Sequence, residues 1–243
     1  MTRFRFISAG RTDVGCTRAV NEDSLANLPE RGLFVVADGL GGHVAGRHAS
    51  EIGVGSFCRA LEDASGPDRA DTIRRAVRTA NMEIRKAASR SPELRGMGTT
   101  LVAVWIHDEM ATLTNIGDSR VYLLRGRVLS QLTSDHSAVG ELIALRELSR
   151  EEAQRHPNRH VITRALGVAG TVEADIGSLR VTEGDSLLLC SDGISAQLED
   201  RSIHGILSQW WHDPAKASAS LIEAANESGG RDNATALVVY LAT

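Results

Sequence analysis

The sequence predicts a single domain, residues 1–243, in which β-strands and α-helices are mixed. The residues are 42% hydrophobic and 24% charged, which is the composition of a globular protein. A chain of this length buries a large core without help from disulfides. Runs rich in valine, leucine and isoleucine alternate with stretches of helical periodicity, and neither a Pro/Ser-rich linker nor a block of charge divides them.

Seven runs have the aliphatic and β-branched composition of strands. They are Gly32–Ala37, Thr100–Ile106, Ala111–Ile116, Arg120–Leu124, Val128–Leu132, Ser186–Ser191 and Ala236–Leu241. Between the fourth and fifth runs, the tripeptide Arg125-Gly126-Arg127 predicts a tight hairpin.

Four stretches have the periodicity of helices. They run from about Ala45 to Glu62, from Ala70 to Ser89, from Ala138 to Leu145 and from Ala215 to Glu227. Asp68 or Asp71 is suited to cap the second helix, and Gly229-Gly230 is suited to end the last one. The polar segment from Ser134 to His160 has weak periodicity. Its composition favours a solvated excursion from the core over a mobile flap beside a site.

Charge and targeting signals restrict the possible partners. With 27 basic and 31 acidic residues, the net charge of −4 gives no broad attraction to nucleic acid or to an anionic membrane. The first residues lack the apolar segment of a signal peptide, and no apolar run approaches the ~20 residues that span a bilayer. We therefore expect a cytoplasmic protein that binds neither nucleic acid nor membrane, and nothing in the sequence requires more than a monomer.

The three cysteines indicate neither a disulfide framework nor a zinc site, because their number is odd and no CxxC motif occurs. Cys58 and Cys190 lie inside apolar stretches, which is typical of small core residues.

The most informative local pattern is an apolar strand that runs directly into Asp-Gly, and it occurs twice, at Asp38 and at Asp192. Asp118 follows another predicted strand, and Asp232 shortly precedes the last one. A single Asp-Gly pair is an ordinary turn. Four carboxylates at strand ends are more informative, because strand ends can meet at one edge of a sheet.

Carboxylates in such a place favour a divalent cation. A charge at the end of an apolar strand is poorly solvated unless it finds a partner, and a cation is one such partner. Because no cysteine or histidine lies at ligand spacing, Mg²⁺ or Mn²⁺ fits this set better than zinc or copper.

A further acidic cluster lies near the N-terminus, where Arg18 precedes Glu22 by four residues. It fits a surface loop with local ion pairs, each of which contributes little. It also fits a site in which Arg18 clamps a phosphate with both arms of its guanidinium and Glu22 belongs to the shell of a metal. The residues alone leave both interpretations open.

Nine segments of the chain, in this order, resemble those of a known family. They are Asp13-Val-Gly15, Arg18 with Asn21-Glu-Asp23, Val35–His43, Gly96–Leu101, Asn115–Arg120, Leu132–Ser137, His156–Arg159 running into Val161–Gly167, Ser191–Gly193 and Gly230–Thr235. The family is the protein phosphatase 2C (PPM) type of metal-dependent serine/threonine protein phosphatases, and the chain resembles its compact bacterial members most.

The resemblance implies an α+β fold, a four-layer αββα sandwich in which two packed, largely antiparallel sheets are flanked by helices. A two-metal site is expected at one end. By position, Asp38 matches the ligand that bridges both metals, and Gly39 matches a backbone-carbonyl ligand. Asp192 and Asp232 match ligands of the first metal.

The remaining site residues follow from the same resemblance. Glu22 matches an acidic residue in the shell of the second metal, and Asp118 together with Asp192 matches a weaker third metal position. Arg18 matches the arginine that binds phosphate. The segment at about 137–161 matches a variable flap beside the cleft.

The implied activity is hydrolysis of phosphoserine and phosphothreonine in proteins, by direct attack of a water that bridges two Mn²⁺ or Mg²⁺ ions. Two such ions and three aspartates leave a charge of about +1, which together with Arg18 suits a phosphate dianion. No protein nucleophile is needed, and Cys190, inside a strand, is not expected to be one. The expected substrates are a eukaryotic-type Ser/Thr kinase and its targets.

Two departures from the family pattern concern proton transfer and the flap. Leu40 stands where many animal members have a histidine proposed as the general acid. Protonation of the leaving group then falls to His43 or to a metal-bound water. His160 stands where the family usually has asparagine, and this change is expected to concern only the flap.

Two other functions are weighed against this one. A catalytically inactive phosphatase-fold binding regulator is expected to have lost carboxylates, whereas every expected metal position is present. A stage-specific phosphatase that acts on anti-anti-sigma factors is disfavoured by Arg18 and by the Asp-Gly-Leu-Gly-Gly-His segment.

Overall fold

A computed structural model describes residues 4–42, 44–62 and 68–242, and within them twelve strands form two five-stranded sheets and a short ribbon. In spatial order, the first sheet contains β1 (Arg5–Asp13), β12 (Ala234–Ala242), β11 (Ser186–Cys190), β8 (Arg120–Arg125) and β9 (Val128–Gln131). The second sheet contains β10 (Asp175–Arg180), β7 (Met110–Ile116), β6 (Leu101–His107), β3 (Leu33–Ala37) and β2 (Ser24–Leu28). The ribbon pairs β4 (Gly39–Leu40) with β5 (Gly98–Thr99).

Seven α-helices connect these strands in the described part of the chain. They are α1 (Val44–Glu62), α2 (Arg69–Ala88), α3 (Ala138–Ala144), α4 (Arg150–Arg155), α5 (Asp192–Ser195), α6 (Asp200–Gln209) and α7 (Pro214–Glu227). None of the helices so described has the length and apolar character that a bilayer span requires.

The two sheets pack face to face, and helices cover both outer faces. The alternation along β3 shows this arrangement: Phe34 and Val36 face the first sheet, whereas Leu33, Val35 and Ala37 pack against α1 and α2. The outer face of the first sheet packs against α5, α6 and α7. All strand pairs are antiparallel. The predicted four-layer αββα sandwich is therefore confirmed.

Local signals for turns and caps are largely confirmed. The residue that caps α2 is Asp68, whose Oδ1 accepts a hydrogen bond from the backbone N–H of Asp71 at 3.0 Å. The last helix ends at Glu227 and is followed by Gly229 and Gly230, both with positive φ. The hairpin between β8 and β9 turns at Gly126, which has a φ of 60°. Cys58 and Cys190 are buried, and Cys190 lies within β11.

Sequence patterns do not predict β1, β2, β10 or α6. The three strands all lie at sheet edges, where most residues stay at least partly exposed, so none has a continuous run of buried apolar residues. In α6, only Ile203 and Leu207 are buried. The polar segment 134–160, in which one helix is predicted, contains the two short helices α3 and α4.

Candidate metal centre

The predicted carboxylates meet at one edge of the sandwich, to which both sheets contribute. In the second sheet, β3 and β7 run in the same direction, so Asp38 and Asp118, which follow them, emerge at the same edge. In the first sheet, β12 begins where the antiparallel β11 ends, and this brings Asp232 to Asp192. At this edge the charges of Asp118, Asp192 and Asp232 all raise the pKa of Asp38.

Asp38 is held rigidly by its backbone. Its N–H donates to Thr100 Oγ1 at 2.9 Å, and its carbonyl oxygen accepts from the N–H of Thr100 and from Thr99 Oγ1 at 2.9 and 2.8 Å. The hydroxyl groups of Thr100 and Ser119 lie 2.7 Å apart and connect this turn to the turn that carries Asp118. The two turns that carry Asp38 and Asp118 are thus connected through backbone and hydroxyl contacts.

Crowding of negative charge dominates the electrostatics of the site. Burial raises the pKa of Asp38 well above its usual range, and the charges of Asp23, Asp192 and Asp118 raise it further. The pKa of Asp118 rises to about 7, first because the group is desolvated and second because Asp192 lies near. Such carboxyl groups remain protonated in the folded chain unless a positive charge compensates them.

Asp192 has the same environment, with one difference that involves the flap. Burial raises its pKa, and the charge of Asp232 adds to the increase, whereas a hydrogen bond with the Asp38 side chain and the charge of His160 lower it. His160, which stands in the flap, thus has an electrostatic influence on Asp192.

Arg18 lies at the rim of the site and is paired with a predicted ligand. Its Nη2 donates to Asp232 Oδ2 at 2.8 Å, and half of its side chain remains exposed. This hydrogen bond raises the pKa of the guanidinium. Asp232 Oδ1 accepts from the N–H of Asn233 at 2.8 Å. The guanidinium therefore stands between solvent and the carboxylates, where an incoming anion would meet it.

Glu22 and Gly39 lie where their two chain segments and the start of α1 approach one another very closely. A Cβ atom on Gly39 would lie 2.2 Å from the carbonyl oxygen of Gly46 in α1 and 2.7 Å from that of Glu22. A Cβ atom on Gly46 would lie 1.9 Å from Glu22 Oε2. Only glycine fits at both positions, and the Glu22 carboxylate is buried against the start of α1.

Sequence reasoning missed Asp23, which is buried beside the predicted ligands. Its Oδ2 accepts hydrogen bonds from Ser191 Oγ at 2.7 Å and from Thr235 Oγ1 at 2.6 Å, and its Oδ1 has no hydrogen-bond partner. Burial raises its pKa to about 7. The only signal in the sequence is that Asp23 directly follows Glu22, because its partners are 168 and 212 residues away.

The flap is anchored next to Asp118 through a histidine that sequence reasoning also left unassigned. His136 Nδ1 accepts from the N–H of Gly117 at 3.2 Å, and the N–H of His136 donates to the Gly117 carbonyl at 2.9 Å. On its other side, His136 Nε2 lies 3.1 Å from Asp175 Oδ2. Ser137 and Ile162 form a β-bridge that closes the base of the segment.

The chemistry of the donor set fits divalent cations. Buried carboxylate oxygens of Asp23, Asp118 and Asp192 have no hydrogen-bond partner, and Asp38 and Asp232 lie beside them. In the described ranges, no three acidic, histidine or cysteine side chains are arranged to hold an ion as they stand. Hydrogen bonds from Arg18 and between Asp38 and Asp192 now occupy ligand oxygens, and a cation would replace them.

Of the two residues discussed for proton transfer, the structure describes Leu40 but not His43. Leu40 lies in β4, directly beside Gly39, and places an aliphatic side chain at that position. His43, the predicted alternative acid, lies outside the described residues.

Cys190 is buried inside β11, and burial raises the pKa of its thiol, which makes it a poor nucleophile.

Known proteins resemble this chain along nearly its whole length. Residues 17–227 match a family model described as Protein phosphatase 2C. A serine/threonine phosphatase named stp, from Listeria monocytogenes, is 40% identical over 236 residues, which are 94% of this chain and 93% of that protein.

Solved structures agree in fold with this chain. The Mycobacterium tuberculosis serine/threonine phosphatase PstP/Ppp has a TM-score of 0.91 and 38% identity, with 98% of this chain and 99% of that chain covered. A PstP catalytic domain in complex with two manganese ions has a TM-score of 0.89 and 36% identity, with coverage of 99% and 100%.

Proposed function

Because the chain belongs to the protein phosphatase 2C family, we propose that it hydrolyses phosphoserine and phosphothreonine in proteins at a centre for two Mn²⁺ or Mg²⁺ ions. One observation carries the proposal: buried carboxylates of both sheets, three of whose oxygens have no hydrogen-bond partner, meet at one edge with a half-exposed arginine at the rim. A relative of the same fold holds two manganese ions.

The residues that would hold the ions are Asp38, the carbonyl of Gly39, Asp192 and Asp232, with Glu22 in the outer part of the centre. Asp118, together with Asp192, would form a weaker third position. When bound, the ions would activate a water as nucleophile and neutralise charge that develops on the phosphate oxygens. The chain's own contribution is to hold the backbone that carries these ligands in place before any ion arrives, which Thr99 and Thr100 do for Asp38, while Ser119 links their turn to that of Asp118.

Arg18 would bind the substrate phosphate. Its guanidinium offers two parallel N–H donors, a geometry that matches phosphate, and its exposed half faces the direction from which substrate arrives. Until a cation replaces it, the 2.8 Å hydrogen bond to Asp232 holds the guanidinium at the rim of the centre.

The substrates we infer are phosphoproteins, among them a Ser/Thr kinase of the eukaryotic type and its targets. We further infer one phosphatase domain with a flap at about 137–161 beside the cleft. An inactive binding regulator is not favoured, because all the carboxylates that an active centre needs are present and converge.

The proposal is tested with protein that has been stripped of metal with EDTA and then given a phosphothreonine peptide with and without Mn²⁺. We expect no phosphate release without metal and full turnover after Mn²⁺ is added, because no side chain in the centre replaces the ions as activator of water. Phosphate release is measured colorimetrically, and Zn²⁺ or Ca²⁺ at equal concentration serves as the metal control. Folded, Mn²⁺-loaded protein that hydrolyses no phosphopeptide would favour the binding regulator instead.

Replacing Arg18 with alanine is expected to raise KM for the peptide about 10- to 100-fold while kcat changes little, because a charged hydrogen bond to the phosphate is lost and the nucleophile is untouched. Steady-state kinetics with saturating Mn²⁺ separate the two constants. Arg18→Lys, which keeps the charge but not the two-pronged donor, is expected to lie in between. A large loss of kcat at unchanged KM would contradict this role.

A further inference from the structure

The exposed face of α2 is strongly basic, although the chain as a whole is acidic. Within Arg69–Ala88 there are six basic and two acidic residues, a net charge of +4. Since the whole chain carries −4, the remaining residues together carry −8. The exposed basic residues on this face and just beyond it are Arg74, Arg75, Arg78, Arg85, Lys86 and Arg90. We call this set the α2 basic face.

Part of the α2 basic face has no partner within the protein. Arg75 pairs with Asp71, Lys86 pairs with Glu83, and Arg85 donates to the carbonyl of Val168. Among the described residues, by contrast, the guanidinium groups of Arg74 and Arg78 make neither a hydrogen bond nor an ion pair. These two arginines lie one helical turn apart on the same side of the helix, so both are available to one ligand.

The C-terminal half of α2 lies against the elements that build the metal centre. Ile84 packs so closely on Gly167 that a Cβ atom there would lie 2.4 Å from Ile84 Cγ2. A Cβ atom on Gly53 of α1 would lie 3.5 Å from Ile84 Cδ1 and 3.0 Å from Thr99 Cγ2, so these two side chains meet at the same place. Thr99 Oγ1 in turn donates to the carbonyl of Asp38. The α2 basic face therefore runs away from the centre along one outer layer of the sandwich, with Arg85 at its near end.

From this charge and placement we propose that the α2 basic face is a docking surface for an acidic segment that flanks the phosphorylated residue of a protein substrate. The inference rests on the proposed function for its choice of partner. From Arg74 to Arg85 the helix rises about 16 Å. About five residues of extended peptide cover that length. Aspartate, glutamate and further phosphorylated residues would all pair with the guanidinium groups.

A membrane or a nucleic acid fits this surface less well than an acidic peptide segment. The apolar side of α2, formed by residues such as Ile73, Val77 and Ile84, is buried in the core, so it cannot enter a bilayer. Met82 is the one large apolar side chain that is exposed in the described helix. Outside this face the formal charge is −8, so the chain has no excess of positive charge there to bind the rest of a long anionic polymer or an extended anionic surface.

The binding test uses a fluorescein-labelled peptide with six consecutive glutamates and no phosphate, so that the result does not depend on turnover. We expect the double variant Arg74→Glu/Arg78→Glu to bind this peptide about tenfold more weakly than the wild type at low salt, as expected for the loss of two charge pairs. The control is Arg127→Glu/Arg201→Glu, which makes the same charge change at two exposed positions away from α2, one in the β8–β9 turn and one in α6. Fluorescence anisotropy in EDTA gives the dissociation constants, and melting curves show whether the variants are folded.

The kinetic test compares two phosphothreonine peptides that differ only in an acidic or a neutral flank. For the wild type we expect a lower KM for the acidic peptide at equal kcat. The α2 double variant should lose this preference and treat the neutral peptide as the wild type does. Equal loss in the α2 variant and the control variant would overturn the proposal in favour of bulk charge. An α2 variant that loses binding to phosphatidylserine vesicles or DNA but keeps its peptide preference would also overturn it.

The outcome separates this proposal from the proposed function. A wild-type protein that hydrolyses neither peptide, yet binds the glutamate peptide through Arg74 and Arg78, would refute the activity and support the docking surface. Active protein that binds the glutamate peptide no better than its double variant does would support the proposed activity and refute the docking surface.

Discussion

We expect that replacing Asp38 with asparagine lowers turnover of a phosphothreonine peptide by about 10²–10³-fold or more, the size of effect seen on loss of one preorganised charge-stabilising group. The same substitution should raise the melting temperature of the metal-free protein at pH 7. Both effects have one cause. Asp38 is crowded by Asp23, Asp192 and Asp118, so its charge is unfavourable for the fold but is needed to hold cations.

The experiment measures kcat with saturating Mn²⁺ and, on the same samples, the melting temperature in EDTA. Asp213→Asn is the matched control, because Asp213 caps α7 at the surface and asparagine caps as well as aspartate. The control should change neither quantity. Asp38→Asn protein with a kcat within tenfold of the wild type would refute the assignment of Asp38 as a ligand.

The second large effect is a loss of stability of the metal-free protein as the pH rises. In the folded chain the pKa values of Asp23 and Asp118 are raised to about 7, whereas an unfolded aspartate titrates near 4. Between these values the unfolded chain releases protons that the folded chain keeps, so the free energy of unfolding falls as the pH increases. Above about pH 7 both states are ionised and this contribution to the slope disappears.

Comparison of Asp118→Asn with the wild type measures this contribution together with the relief of Asp38, whose pKa the charge of Asp118 raises. In EDTA, the variant should gain melting temperature relative to the wild type between pH 4 and 7, at about 2–4 °C per kcal/mol for a protein of this size. Saturating Mn²⁺ at pH 7 should shrink the difference, since bound cations favour the ionised wild-type site. A difference that is constant across this pH range would mean that Asp118 is ionised in the folded metal-free protein.

The layers of the fold and most of the site could be predicted because their signals are local. Strands such as β3 and β11 are buried on both faces and therefore read as continuous apolar runs. Each is followed almost at once by an aspartate, which marks the edge where the site lies. The convergence of Asp38 with Asp192 follows from strand direction once the sheets are known.

The parts that could not be predicted depend on contacts between distant segments or on partial exposure. The edge strands β1 and β10 carry polar residues because only one side of each is paired, so composition does not distinguish them from loops. The burial of Asp23 depends on hydroxyl groups of Ser191 and Thr235, which reach it only after both sheets have formed. The contact of His136 with Gly117 likewise has no counterpart in sequence spacing.

The position of Asn233 has a consequence for how the enzyme comes into being during translation. Its side-chain amide donates to the carbonyls of Val14 and Val20, 219 and 213 residues earlier, and so joins the two segments that carry Arg18 and Asp232. At ~5–20 residues per second, a ribosome needs about 10–40 s to travel from Asp38 to Asp232. On the proposed assignment of Asp232 as a ligand, a nascent chain in that interval lacks both this ligand and the amide that closes the centre. The proposed centre is then completed only late in synthesis, and unfinished chains are expected to leave cellular phosphoproteins untouched.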